Sequence, residues 1–160
     1  VLNYVGDEIF NEIEDNQFDI IINRHESYNE QELYRILKPN GVFITQQVGA
    51  FNNKEFATFF DESHIDSFPE MTLDKSIQRL KENGFDIIDS KEYFPVLKFY
   101  DLGAIAYFAK IIEWEFINFR VKENIDKFLI LQEELKRNGY VSSKEHRFII
   151  VCKKNGVDYE

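Results

Sequence analysis

Residues 18–22 constrain the fold of this chain most strongly, because they form a short apolar run that ends abruptly in polar side chains. The run holds Phe18 and three consecutive isoleucines. Such a run is typical of a strand buried on both faces of a parallel sheet. The next six residues are Asn, Arg, His, Glu, Ser and Tyr. Ligands bind just beyond the carboxyl ends of strands in open α/β sheets. Residues 23–28 are therefore either a functional loop or a polar connection that caps the next helix.

The following segments predict a second strand parallel to the first. Residues 29–38 carry apolar side chains at helical spacing, and Asn29 precedes them as a candidate N-cap. The PNG sequence at 39–41 is a helix stop, and residues 42–45 begin another apolar strand that ends near Gly49. A strand, a helix and a strand with short connections form a βαβ unit. Its two strands are expected to be parallel, with a right-handed crossover.

These motifs resemble the centre of the class I S-adenosylmethionine-dependent methyltransferases. The resemblance rests on FD at 18–19, LKPNG at 37–41 and the apolar pair at 43–44. The strings NRHESY at 23–28 and TQQVG at 45–49 are similar to a bacterial subgroup whose substrates are mostly unassigned. The resemblance implies a Rossmann-like α/β fold with a mixed sheet whose last strand is antiparallel. The family's last four strands are then expected in the order fourth, fifth, seventh, sixth.

The resemblance also implies S-adenosylmethionine as the cofactor of the intact enzyme and a small molecule or an RNA base as the methyl acceptor. Asp7 would hydrogen-bond the adenine amino group, since a carboxylate only accepts; a cap or turn role is the alternative. Asn23 and Arg24 would hold the cofactor, with Arg24 also suited to an anionic substrate. His25 is the candidate general base, because histidine readily exchanges a proton near neutral pH. Asn23 would contact a proton of the substrate if it does not hold the amino-acid end of the cofactor.

The segment from 99 to 119 is the most unusual part of the chain. The run at 102–112 is apolar nearly all round, which predicts a buried helix. In the family this segment lies between the sixth and seventh strands and covers the mouth of the active site. The resemblance then makes Tyr100, Asp101 and Trp114 substrate-side candidates. His146, in the HRF string before the last strand, is a fourth candidate, with a structural role as its alternative. An insert that only bridges two strands of the core is the alternative.

Composition limits the classes of protein that remain. The 160 residues suit one domain, which we divide into 1–49, 50–124 and 125–160 as the end of the cofactor core, the substrate-side segments and the final helix and strand. A formal net charge of −10 argues against broad capture of nucleic acid, so no DNA partner is predicted. The single cysteine, Cys152, is expected to be buried, and it allows no internal disulfide, which fits a reducing cytoplasm. The longest apolar run is too short for a membrane span and contains Lys110. No zinc-type ligand spacing is present, so no metal is predicted.

The family's glycine-rich cofactor loop has no counterpart here, because the seven glycines are isolated. We therefore expect the C-terminal part of a methyltransferase, truncated at its N-terminus and inactive alone. Its first strand would expose an apolar edge along residues 18–22, which favours a homodimer or an association of residues 1–5 with that edge. Two alternatives remain open: a binding or dimerisation module that keeps the fold without catalysis, and a fragment of another Rossmann-like enzyme such as a dehydrogenase.

Overall fold

The computed structural model describes residues 13–156, which group into two compact units. The first unit comprises residues 13–47, 72–92 and 148–156, and the second comprises Val48–Met71 and Tyr93–Arg147. The elements in chain order are β1 (Phe18–Arg24), α1 (Glu30–Ile36), β2 (Leu37–Val48), α2 (Lys54–Phe60), α3 (Leu73–Glu82), β3 (Phe85–Tyr93), β4 (Val96–Phe99), α4 (Leu102–Ile111), a short 3-10 helix (Val121–Glu123), α5 (Ile125–Asn138), β5 (Val141–Lys144) and β6 (Arg147–Lys154). The functional subdivision at 49 and 124 stays a prediction.

The first unit is organised around a four-stranded mixed sheet in the order β1-β2-β6-β3. β1 and β2 are parallel, and their register pairs Ile20 with Val42 and Arg24 with Gln46. The last strand of the chain lies between β2 and β3. The predicted order of the fourth, fifth, seventh and sixth family strands is therefore confirmed.

The predicted boundary between α1 and β2 is wrong by several residues. β2 begins at Leu37 rather than at Val42, because Leu37 already pairs with Phe18 before the register shifts. The PNG turn at 39–41 is an irregularity inside the strand, with Asn40 at a φ of 62°. A Cβ on Gly41 would lie 2.8 Å from the Lys38 carbonyl oxygen, so this turn needs glycine. Asn29 does cap α1, since its Oδ1 accepts from the Glu32 N–H at 3.0 Å.

β1 is not buried on both faces, which corrects the prediction made from its apolar run. The side chains of Ile20 and Ile22 are 59% and 74% exposed. The reason is that β1 is a terminal strand of the sheet within residues 13–156, and one of its faces has no cover there. Its other face carries Ile21 and Asn23, which are half-buried.

The second unit packs α2, α4 and α5 with the antiparallel pair β4–β5 around a core rich in phenylalanine. The buried members of that core are Phe56, Ala57, Phe60, Phe99, Ile105, Ala109, Phe116, Phe128, Leu131 and Val141. The prediction that the 102–112 helix is buried all round is wrong, because α4 exposes Tyr107 and Ile111 and buries only one stripe. Within residues 13–156, none of the helices has the length and apolar character that crossing a membrane requires.

Candidate functional site

Three polar side chains meet where β1 and β2 end, and we call them the strand-end cluster: Asn23, Thr45 and Gln47. The parallel register pairs Asn23 with Thr45, so their side chains share one face of the sheet with that of Gln47. The Asn23 Oδ1 accepts from Thr45 Oγ1 at 3.0 Å and from Gln47 Nε2 at 2.7 Å. Gln47 Nε2 also donates to the Glu26 carbonyl at 3.0 Å. Thr45 and Gln47 are buried, which fixes the orientation of the half-buried Asn23 amide.

The strand-end cluster leaves hydrogen-bond donors available for a ligand. Within residues 13–156, no hydrogen bond uses the Asn23 Nδ2 group. The neighbouring Arg24 is exposed, and its Nε donates to Gln46 Oε1 at 3.3 Å. Arg24 lies on the other face of β1 from Asn23, because successive residues of a strand alternate between faces. The Asn23 amide N–H is therefore the donor of this cluster that fits the carboxylate at the amino-acid end of S-adenosylmethionine.

His25 follows β1 directly and continues its ladder, because its backbone N–H donates to the Gln46 carbonyl at 2.9 Å. Its φ is 59°, in the left-handed region that non-glycine residues rarely occupy. The side chain is exposed. This hydrogen bond and the left-handed backbone conformation together fix the position at which the His25 imidazole is exposed to solvent.

Tyr28 anchors the other end of the 23–28 loop. Its ring packs edge-on against Phe43, with ring centroids 5.0 Å apart. Burial raises the pKa of the Tyr28 hydroxyl to about 12. Because Tyr28 is tied to the interior and Asn29 caps α1, the loop both connects to the helix and presents residues 23–25 at the strand end.

A second polar cluster lies within the second unit, and we call it the histidine cluster: Asn52, Asn53, Glu115 and His146. The His146 side chain is fully buried between the rings of Phe51 and Phe94, at centroid distances of 5.2 and 4.7 Å. Its Nδ1 accepts from the Phe51 N–H at 3.1 Å. A Cβ on Gly49 would lie 2.1 Å from that imidazole, so only glycine fits opposite it.

The other members of the histidine cluster hold one carboxylate away from water. Glu115 accepts from the side-chain amides of Asn52 and Asn53, the latter at 2.8 Å. Asn53 Oδ1 accepts from Ser143 Oγ at 2.7 Å, and Asn52 Oδ1 accepts from Arg147 Nη1 at 2.5 Å. Burial raises the pKa of the Glu115 carboxyl, and the two amide hydrogen bonds partly oppose that shift. Every polar group of both asparagine side chains is thus used inside the protein.

The remaining predicted site residues are scattered over the second unit. Tyr100 and Trp114 are 70% and 54% exposed. Asp101 caps α4, since its Oδ1 accepts from the Ala104 N–H at 2.7 Å. Asp7 lies outside the described residues. Asn23, Arg24 and His25 thus follow one another at the end of β1, and the substrate-side candidates belong to the second unit.

Sequence reasoning missed the residues that orient these clusters. Thr45 and Gln47 were noted in the TQQVG string at the end of a strand but were given no role, although the alternation of a parallel pair places them on the face of Asn23. Asn52 and Asn53 carried only a turn signal. Glu115 carried none, because a single acidic residue between aromatic residues does not reveal which distant amides it contacts.

Comparison with known proteins identifies the fold of this chain but does not assign the chain to a family. No protein-family model and no curated protein matches the chain. A candidate methyltransferase of Bacillus halodurans aligns at 16% identity and a TM-score of 0.51, covering 88% of this chain and 66% of that one. A protein of unknown function from Deinococcus radiodurans aligns at 9% identity and a TM-score of 0.54, covering 86% and 51%. A candidate sarcosine dimethylglycine methyltransferase of Galdieria sulphuraria aligns at 19% and 0.45, covering 94% and 58%.

The chain thus spans between about half and two thirds of the length of these proteins. The strand order and the similarity to the Bacillus halodurans structure define the class of fold. The chain has the Rossmann-like fold of class I S-adenosylmethionine-dependent methyltransferases.

Proposed function

We propose that this chain is part of an S-adenosylmethionine-dependent methyltransferase that acts on a small molecule or an RNA base. The observation that carries the proposal is the sheet order β1-β2-β6-β3, with the last strand inserted beside β2, together with the polar strand-end cluster at the carboxyl ends of β1 and β2. That edge is where open α/β sheets bind ligands. The strand order and the position of the strand-end cluster therefore support the same function.

The roles of individual residues follow from their hydrogen-bonding capacity. Asn23 Nδ2 would hold the carboxylate of the cofactor's amino-acid end, Arg24 would contact the cofactor from the exposed face of β1, and Asp7 would accept from its adenine. When bound, the cofactor supplies a methyl group on a sulfonium. His25 would accept a proton from the methyl acceptor, and Asn23 would contact that acceptor as the alternative to its role toward the cofactor. On the substrate side, the proposed contacts are Tyr100, Asp101, Trp114 and His146.

We further propose that this chain does not catalyse methyl transfer alone, since a glycine-rich cofactor loop is absent from its sequence. The test is a nitrogen-15 NMR titration with S-adenosylhomocysteine. Weak shifts at residues 23–28, with a dissociation constant above about 1 mM, are expected for a site that retains about 4 kcal/mol or less of binding free energy. Arg24→Ala should abolish them, and Lys38→Ala, at the other end of the β1–β2 pair, should leave them unchanged.

Two results would contradict different parts of this proposal. If residues 23–28 show no shift at 10 mM ligand, or if the shifts lie elsewhere, the strand-end cluster is not the cofactor site. Micromolar binding measured by calorimetry would leave the site in place but reject the claim that the chain is incomplete as a cofactor binder.

A dimerisation module is the second candidate function, and the exposed edge of β1 favours it. Ile20 and Ile22 expose apolar surface on β1, whose outer edge pairs with no other strand of residues 13–156, and such an edge invites pairing with another strand. We propose a homodimer through this edge. Ile22→Lys should yield a monomer in sedimentation velocity at about 50 μM, where a standard protein interface is populated. Ile88→Lys, on the 56% exposed Ile88 of the other terminal strand, should remain a dimer. A monomeric wild-type chain would reject the homodimer.

A further inference from the structure

The second unit contains a cavity of about 330 Å³. This volume lies at the lower end of the range of roughly 300–1,000 Å³ that is typical of ligand pockets. The cavity is formed by the end of α2, the turn that follows α4 and the start of α5. None of the residues that we assign to cofactor or substrate contact lines it.

Aromatic rings form one side of this cavity. Phe60, Phe116 and Phe119 line it and contact one another edge to face, with the Phe60 and Phe119 centroids 5.1 Å apart. The faces of aromatic rings carry partial negative charge, so they attract cations and disfavour anions. A lining of this kind selects a ligand that is cationic and partly apolar.

The charged residues of the cavity favour the same sign of ligand. Asp61, Glu115 and Glu123 are the acidic residues of the lining, and Lys127 and His64 are its basic residues. Lys127 is already engaged, because its Nζ donates to the Phe60 carbonyl. Hydrogen bonds from Ser63 lower the pKa of the Asp61 carboxyl, which keeps it an anion at neutral pH.

Glu115 makes the preference specific. The hydrogen bonds to its carboxylate come from the neutral amides of Asn52 and Asn53. Burial raises the pKa of the Glu115 carboxyl although the Arg147 cation opposes that shift, so a further cation nearby would favour the charged form. An ammonium group in the cavity would favour the ionised form of Glu115.

We infer that this cavity binds a small organic ammonium ion. The inference rests on the lining of the cavity and does not depend on methyl transfer. The aromatic rings accommodate the alkyl substituents of the ion, and the carboxylates compensate its charge.

The test is a nitrogen-15 NMR titration with choline chloride, matched by 3,3-dimethylbutan-1-ol, which has the same shape without the charge. Choline should bind saturably with shifts at residues 115–119, and the neutral alcohol should bind at least tenfold more weakly. Equal affinity of the two compounds would overturn the requirement for a cation. Absence of saturable shifts with choline up to about 50 mM, a binding free energy weaker than about 2 kcal/mol, would overturn the site itself.

Two variants locate the interaction. Glu115→Gln removes the charge and should weaken choline binding about tenfold, and Phe119→Leu removes one ring and should weaken it about threefold. Glu133→Gln, on the exposed surface of α5 away from the cavity, should bind choline as the wild type does. Unchanged affinity in Phe119→Leu would reject the aromatic contribution. If Glu115→Gln does not fold, the comparison of choline with its neutral isostere in the wild type still tests whether the cavity requires a cation.

Discussion

The strand-end cluster and the histidine cluster use the same residue type in opposite ways. Asn23 is held by two donors through its oxygen, and its Nδ2 makes no hydrogen bond within residues 13–156. Asn53 uses both its Oδ1 and its Nδ2 inside the protein, and it is almost fully buried. A polar cluster whose hydrogen-bonding groups are all paired within the protein stabilises the fold. A cluster with unpaired donors can instead bind a ligand. We therefore expect substitutions of the two asparagines of the histidine cluster to change stability, and those in the strand-end cluster to change binding.

Gly49→Ala should reduce the free energy of unfolding the most, because the added Cβ would lie 2.1 Å from the His146 ring. That ring cannot move aside easily, since it is stacked between the rings of Phe51 and Phe94. Overpacking of this kind costs about 3 kcal/mol of the free energy of unfolding. Urea unfolding followed by circular dichroism measures it. Gly103→Ala is the matched control, since a Cβ there approaches only the Asp101 side chain and alanine favours the helix. Equal stability of the two variants would mean that His146 is not held as the structure shows.

Asn53→Ala tests whether the histidine cluster is saturated for structural reasons. The variant loses the hydrogen bonds to Glu115 and Ser143 and leaves a buried carboxylate with one donor fewer. We expect a loss of about 2–3 kcal/mol, including the strain of alanine at a φ of 51°. Asn118→Ala is the control, because Asn118 is exposed at a similar φ of 57° and shares only the strain. A difference between the two below about 0.5 kcal/mol would contradict a structural role for the cluster.

The sequence predicted the βαβ unit of β1, α1 and β2 because that unit carries local signals. These signals are two apolar runs and the cap at Asn29. The β4–β5 pair depends on contacts between residues more than forty positions apart, and local patterning does not encode those. The exposure of Ile20 and Ile22 could not be predicted from the sequence either. An apolar run indicates that a strand favours apolar contacts, but it does not show whether another element covers that strand.

The residues of the candidate site also differ in whether the sequence predicted them. Asn23, Arg24 and His25 were predicted from their position after a strand, which is a local feature. Glu115 and its amide partners lie more than sixty residues apart in sequence and meet only in the folded chain. Residues that point toward a ligand could be proposed from the sequence, whereas residues that hold a buried network could not.

Thr45→Val should separate binding from stability in the strand-end cluster. The variant removes the hydroxyl that donates to Asn23 and accepts from Gln47, and it keeps the shape of the side chain. We expect a loss of about 1 kcal/mol in the free energy of unfolding. The shifts of residues 23–28 with S-adenosylhomocysteine should also decrease, because the Asn23 amide is no longer fixed. Thr72→Ser, which retains the cap of α3, controls for a change at a threonine elsewhere in the same unit. Normal ligand shifts in Thr45→Val would assign Thr45 to the fold alone.

The smallest effect is the pH dependence of Glu115, which tests the buried charge of the histidine cluster directly. Its pKa is raised by burial in the folded chain, so the folded state holds this proton more tightly than the unfolded state does. The stabilisation that this proton provides is present below the ordinary glutamate pKa and is lost as the pH rises through the folded value. Glu115→Gln removes that dependence. The free energy of unfolding of Glu115→Gln, minus that of the wild type, should therefore increase between pH 4 and pH 7.

The groups that act on this carboxyl are the Arg147 cation, which lowers its pKa, and the Glu145 carboxylate, which raises it. Both remain in the variant, so the difference between the two proteins isolates Glu115 as long as their own proton binding is unchanged. Urea unfolding at several pH values measures this difference, and Glu133→Gln on the exposed face of α5 supplies the comparison for a glutamate outside the cluster. A difference that decreases over the same range would mean that Glu115 is stabilised as an anion. The histidine cluster would then resemble the strand-end cluster in providing compensation for charge, and the contrast between the two clusters would no longer hold.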